Sequence, residues 1–141
     1  MATALTTKQV SAAVPAALAE LLRVPQSSLE ARPKGVSEAD LVLSAAGQTF
    51  VVEVSGAATA GRVAAHADRA FKAAKKLRRR ATPLVVVPFM SEVGRRACEA
   101  AQASWFDLSG NAHIIAPGIR VIVDGRPNRF RGPGRPATIF A

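Results

Sequence analysis

Cysteine, histidine and tyrosine are nearly or wholly missing from this sequence: one Cys, two His and no Tyr among 141 residues. A lone thiol, Cys98, cannot close an intramolecular disulfide or build a Cys-based zinc site. His66 and His113 lie too far apart in sequence for a His/Cys metal motif. No apolar run approaches the roughly 18 residues that a membrane-spanning helix requires, so no membrane partner is expected. The N-terminal AAVPAALAELL is signal-like in composition, but only Lys8 precedes it, Glu20 interrupts it and a cleavage site is lacking. A cytoplasmic location is therefore expected. Aromatics are scarce at 5%, while hydrophobic residues reach 49%; the core must be built from Ala and Val rather than large rings. Acidic residues are also few, 10 against 19 Lys and Arg, for a formal charge of +9. Such an excess favours polyanions, nucleic acid first. The length suits one domain and excludes two ordinary catalytic domains.

What is present follows a simple order. Residues 1–10 read as frayed, and 11–23 as a helix whose first turn begins near Pro15, where a missing N–H costs nothing. Pro25, Pro33 and Gly35 break the connecting stretch. Asp40-Leu-Val-Leu and Phe50-Val-Val-Glu-Val are short β-branched runs joined by a turn at Gly47. Residues 58–80 form the clearest helix: Val63, Ala67, Ala70, Phe71, Ala74 and Leu77 share one face. PLVVVPF (83–89) is a strand buried on both faces. Ser91 caps a helix over 91–103, residues 104–108 return as a strand, and 113–115 and 119–123 close as a hairpin. Strands alternating with helices imply an α/β fold with a mixed, partly parallel sheet. Two segments result: a domain over 1–124 and a Gly/Pro/Arg-rich tail or linker over 125–141.

Asp40 and Glu53 begin and end this strand–turn–strand unit, so folding back can bring their carboxylates together. Alternation puts Glu53 and Ser55 on one face. Two carboxylates with the Val54 carbonyl are hard oxygen donors suited to Mg²⁺. The plainer reading is a pair of solvated carboxylates at strand ends, yet a Glu inside FVVEV is unusual in so apolar a run.

In these segments the chain resembles the PD-(D/E)XK, restriction-endonuclease-like nuclease superfamily. Ala39-Asp40-Leu-Val-Leu, Phe50-Val-Val-Glu53-Val54-Ser55, the long helix and PLVVV match its order over roughly residues 36–124. Trp105-Phe-Asp107-Leu-Ser-Gly110-Asn111 is similar to the D-L-x-G-N signature of a bacterial subset, often attached to winged-helix regulators or abortive-infection antitoxins. The resemblance implies a restriction-endonuclease-like mixed sheet flanked by helices, with a C-terminal hairpin and an extended tail. It also implies Mg²⁺ or Mn²⁺ on Asp40, Glu53 and the Val54 carbonyl. Ser55 occupies the position of the family's lysine and supplies no positive charge. Lys72 or Lys76 of the following helix would have to substitute. Asp107 is either a third carboxylate or a turn-forming Asx residue.

Residues 58–80 carry eight Lys and Arg and one Asp. Arg62, His66, Arg69, Lys76 and Arg80 align opposite the apolar face, with Lys72 and Arg79 beside them. This is either a phosphate-contacting stripe or an ordinary solvated face. His66 and His113 read as surface residues, Trp105 and Phe106 as core, and Cys98 as a small buried hydrophobe. In the tail, Arg131 and Arg135 sit in an extended Gly/Pro context able to enter a minor groove, although the order of an AT-hook core is broken. A plain linker is the alternative.

The expected function is a DNA-binding nuclease-fold domain that acts as a divalent-metal-dependent phosphodiester hydrolase. Asp40, Glu53, Ser55, Lys72 and Asp107 are its candidate catalytic residues. DNA is favoured over RNA, and a homodimer is compatible with the sequence. The alternatives are a catalytically silent DNA-binding or regulatory module and a basic protein-assembly scaffold.

Overall fold

A computed structural model describes residues 5–32, 39–56, 59–77 and 80–130. Its centre is a seven-stranded sheet in which the strands lie in chain order. The strands are β1 (Glu30–Ala31), β2 (Leu41–Ala45), β3 (Gln48–Val54), β4 (Ala81–Val87), β5 (Ser104–Asp107), β6 (Ala112–Ala116) and β7 (Ile119–Val123). Strands β3, β4 and β5 run parallel, and the remaining neighbours are antiparallel. The mixed α/β fold is thus observed. Helices α2 (Ala60–Lys76) and α3 (Glu92–Ala100) make the two parallel crossovers, and α1 (Thr7–Leu22) precedes the sheet.

Strand alternation divides the core. Phe50, Val52, Leu84, Val86, Phe106 and Ile114 face α1 through Val10, Val14 and Leu18. Val85, Val87 and Trp105 face Val63 and Ala67 of α2, and Val51 meets Ala73 and Ala74. Each fully buried Val, Leu or Phe contributes roughly 1.5–3 kcal/mol, so both sides of the sheet are anchored. Cys98 lies in the second cluster, where burial pushes its thiol up to about 12. The native protein should therefore resist a thiolate-selective reagent at pH 8 and react promptly once unfolded. Equal rates in the two states would show that the α3 side of the core is open.

Helix α1 begins earlier than expected. Its start is set by a capping box: Thr6 N donates to Gln9 Oε1 at 2.8 Å, and Gln9 N donates to Thr6 Oγ1 at 3.1 Å. Pro15 consequently lies inside the helix, not in its first turn; the packing of Val10, Val14 and Leu18 outweighs one missing backbone bond. The helix is seated beside the end of β3, where Gly56 N donates to Thr7 Oγ1. A Cβ on Gly56 would overlap the Leu5 carbonyl oxygen.

Strand β4 begins two residues before the expected start and includes Pro83. Val86 O accepts from Ser55 N and Val87 O from Leu108 N, so odd-numbered residues of β4 turn their polar groups toward β5. Pairing with β5 starts only at Leu84, which leaves the ring of Pro83 opposite no ladder partner. The β2–β3 hairpin turns through Ala46 (φ 50°) and Gly47 (φ 77°), a two-residue geometry matched to strand twist. Within the connection expected to be irregular, a 3-10 turn spans Gln26–Ser28, and β1 adds an edge strand to β2.

Candidate metal centre

Glu53 is the last inward-facing residue of β3 on the α2 side, and it is fully buried. A carboxylate in such a position needs compensation. Two side chains of α2 supply it, because His66 and Arg69 stand three residues apart on the border of the helix's apolar face. His66 Nδ1 lies 2.9 Å from Glu53 Oε1, and Arg69 Nη1 lies 3.3 Å from the same oxygen. Two lone pairs do not tolerate such a distance, so a proton is held between imidazole and carboxylate. The second oxygen, Oε2, is buried and has no hydrogen-bond partner among the described residues.

Asp40 approaches from the other strand of the hairpin, one residue ahead of β2. Its Oδ2 accepts from Val54 N at 2.9 Å. Within a strand the N–H and C=O of one residue point to the same neighbour, so the Val54 carbonyl lies on the edge that Asp40 occupies. One ligand atom each from Asp40, Glu53 and His66 lies within 4.8 Å of the others. The Glu53 carboxyl is held above its ordinary value of 4.5, chiefly by burial. The His66 hydrogen bond opposes this rise, Asp40 adds to it, and the positive charge of Arg69 and of His66 lowers it.

No family model, curated protein or solved structure matches this chain.

The cluster therefore has to be read from its own chemistry. Two carboxylates, one backbone carbonyl and one imidazole form a mixed oxygen and nitrogen donor set. Oxygen donors suit Mg²⁺ and Mn²⁺, and the imidazole tilts the set toward the transition metal. A buried carboxylate oxygen left without a partner on one of these three residues is what a bound cation would satisfy, so the residues fit a divalent ion.

The remaining sequence candidates distribute unevenly. Ser55 is buried two residues beyond Glu53. Lys72 is drawn elsewhere: its Nζ pairs with Asp68 at 3.0 Å on the exposed side of α2. Asp107 does not join the cluster either. Its Oδ1 accepts from Ser109 N and Asn111 N, and its Oδ2 from Met90 N and Asn111 Nδ2, at 2.8–3.0 Å. With both oxygens occupied, Asp107 organises the turn after β5, the Asx alternative. Helix α2 ends at Lys76 rather than at the expected residue 80, so Arg62 and Lys76 are exposed on the helix while Arg80, also exposed, lies beyond it, and Arg69 is drawn partly inward to Glu53. Arg79, Arg131 and Arg135 lie outside the described residues.

His66 departs from its expected surface role. Its ring is 19% exposed and bonded to the buried carboxylate. The available signal was its position between Val63 and Ala67 of the apolar face, which sets it on the helix border rather than the outer stripe.

Proposed function

We propose that the chain is a DNA-binding domain of the restriction-endonuclease-like type that hydrolyses phosphodiester bonds with Mg²⁺ or Mn²⁺. The observation that carries this reading is the buried, unpartnered Oε2 of Glu53 inside a group of three converging ligand side chains. A cation there would polarise a phosphoryl oxygen and lower the pKa of an attacking water.

The chain's own residues divide the other tasks. Asp40 and Glu53 provide the negative oxygens, and the Val54 amide orients Asp40. His66 contributes a nitrogen donor and, when neutral at Nδ1, leaves Glu53 Oε1 available. Arg69 is 57% exposed and can turn from Glu53 to a phosphate oxygen. It thereby offers, from the helix, the positive charge that Ser55 lacks at the family's lysine position. Arg62 and Lys76 on the outer face of α2, with Arg80 exposed in the connection to β4, suit contacts with the nucleic-acid backbone, which read charge rather than sequence.

A second reading rests on the same contacts. Because His66 and Arg69 already compensate Glu53, the domain could bind DNA as a catalytically silent regulatory module. Incubation with plasmid and with single-stranded DNA separates the two, using Mg²⁺, Mn²⁺ or chelator beside Glu53→Ala. The nuclease reading expects metal-dependent cleavage that falls by about 100-fold or more in the variant. Binding without cleavage under every metal favours the silent module, and no binding even at low salt leaves the assembly scaffold.

A further inference from the structure

The D-L-S-G-N turn has no part in the metal centre, yet it contains some of the most buried polar side chains of the domain. Asp107, Ser109 and Asn111 are each at most 2% exposed. What they hold is the chain beyond β7. Asn111 Nδ2 donates to Arg126 O at 2.9 Å, and Arg126 N donates back to Asn111 Oδ1 at 2.8 Å. Arg129 N donates to Ser109 Oγ at 3.2 Å, while that hydroxyl donates to Pro88 O at 3.0 Å. Residues 124–128 form neither helix nor strand, but their course is set by buried groups. Gly110 (φ 108°) completes the device: its missing side chain leaves room for the stem of Arg126, whose Cγ would lie 3.3 Å from a Cβ there.

The consequence is an open cleft of about 720 Å³ between the end of α1, β7 and this strap. Its charged lining is Arg23, Arg120, Arg126 and Arg129 against the single carboxylate of Glu20. Arg23 reaches it from the left-handed C-cap of α1. None of the four guanidinium groups meets a carboxylate among the described residues. By contrast, Arg95 pairs with Asp124 and Arg96 with Glu92. Four exposed arginines drawn from three separate segments around one concave surface, with a single carboxylate among them, sum to a positive potential that attracts a polyanion.

We infer that this cleft is a second binding surface for a nucleic-acid phosphate backbone, assembled by the Asp107–Asn111 turn. Planar guanidinium forks match phosphate oxygens in pairs, and their spread along an open groove suits consecutive phosphates better than one isolated ion. The surface is lined by α1, whereas Glu53 faces α2 across the sheet, so the cleft is separate from the basic stripe. The inference shares the nucleic-acid partner of the proposed function but requires no metal.

The test is fluorescence anisotropy of a labelled 20-nucleotide single strand and a 20-base-pair duplex, in chelator, across a salt series. Arg23, Arg120, Arg126 and Arg129 are changed together to Gln, which leaves the backbone bonds of Arg126 and Arg129 intact. A parallel variant carries Arg62→Gln, Lys76→Gln and Arg80→Gln. The cleft variant should weaken binding by roughly 10-fold or more and reduce the duplex salt slope by about 2–3, near 0.9 per lost phosphate contact. Its effect should add to that of the α2 variant. Asn111→Ala, assayed below its melting transition, should weaken binding with every arginine in place.

Wild-type affinity in the cleft variant overturns the inference even if cleavage at Glu53 is established. So does failure of the wild-type protein to bind either probe. Conversely, a nucleic-acid affinity lost in the cleft variant supports it even if no metal ever promotes cleavage. Binding to phosphatidylserine vesicles that the cleft variant loses, with DNA affinity unchanged, would reassign the surface to a membrane and also overturn it. Unaltered binding by Asn111→Ala would refute the role of the turn.

Discussion

Asp107→Ala should lower the stability of the domain by about 4 kcal/mol, or roughly 12 °C in melting temperature for a chain of this length. The carboxylate is buried and accepts four hydrogen bonds, three from backbone amides of Met90, Ser109 and Asn111 and one from the Asn111 side chain. Bonds to a charged acceptor are worth more than neutral ones, and each donor left unpaired in the interior adds a desolvation cost. These costs do not sum independently because three of the four donors share one turn. Asp107→Asn keeps the shape but replaces one accepting oxygen with a donor, and should lose about half as much. Thermal and chemical denaturation measure both. A fully stable Asp107→Ala variant with a selective loss of cleavage would instead return Asp107 to the chemistry.

Glu53→Gln should act in the opposite direction on stability. In chelator at pH 7 its melting temperature should exceed that of the wild type by about 3 °C or more, the size of a ~1 kcal/mol relief. The folded-state carboxyl is held above its ordinary value of 4.5, with burial the largest cause. A raised folded-state pKa means that the native state binds the proton more tightly than the unfolded state does. Its contribution to stability is complete below the unfolded value, and it is lost as pH rises through the folded value. The gap between variant and wild type should therefore open from about pH 4.5 upward and level off above the folded pKa.

Addition of Mn²⁺ should reverse the ranking, because a cation that binds only the native wild-type site raises its melting temperature. A variant less stable than wild type at pH 7 would mean that the pairing with His66 and Arg69 outweighs burial. Glu53 would then be a structural anchor. The expected order, a charge that opposes folding opposite Asp40, is the pattern found when function sets the choice of side chain.

Much of the architecture was legible in the residues themselves. The 3.6-residue spacing from Val63 to Leu77 identified α2, and the β-branched run Phe50–Val54 identified β3. Ser91 marked the start of α3, whose hydroxyl accepts from Gly94 N at 3.1 Å. The carboxylates at 40 and 53 were visible as polar residues at the margins of apolar strands. These signals are local: each depends on neighbours within one turn or one strand. The capping box at Thr6 and Gln9 was equally local and went unread, so α1 starts a turn before its expected position.

What the sequence determined by itself is the succession of helices and strands, the two faces of each and the uneven distribution of charge. Only the tertiary structure decided which polar groups became partners. His66 turned inward because β3 set Glu53 beneath α2, thirteen residues away in sequence. Lys72 turned outward because one further turn of the helix carries it to Asp68. Asp107 became the keystone of a turn rather than a ligand because four donors converge on it, one from the segment after β4 and three from the turn after β5. Asn111 meets Arg126 across fifteen residues of hairpin. In each case the same side chain had two chemically sensible uses, and long-range packing, invisible to any local period, selected between them.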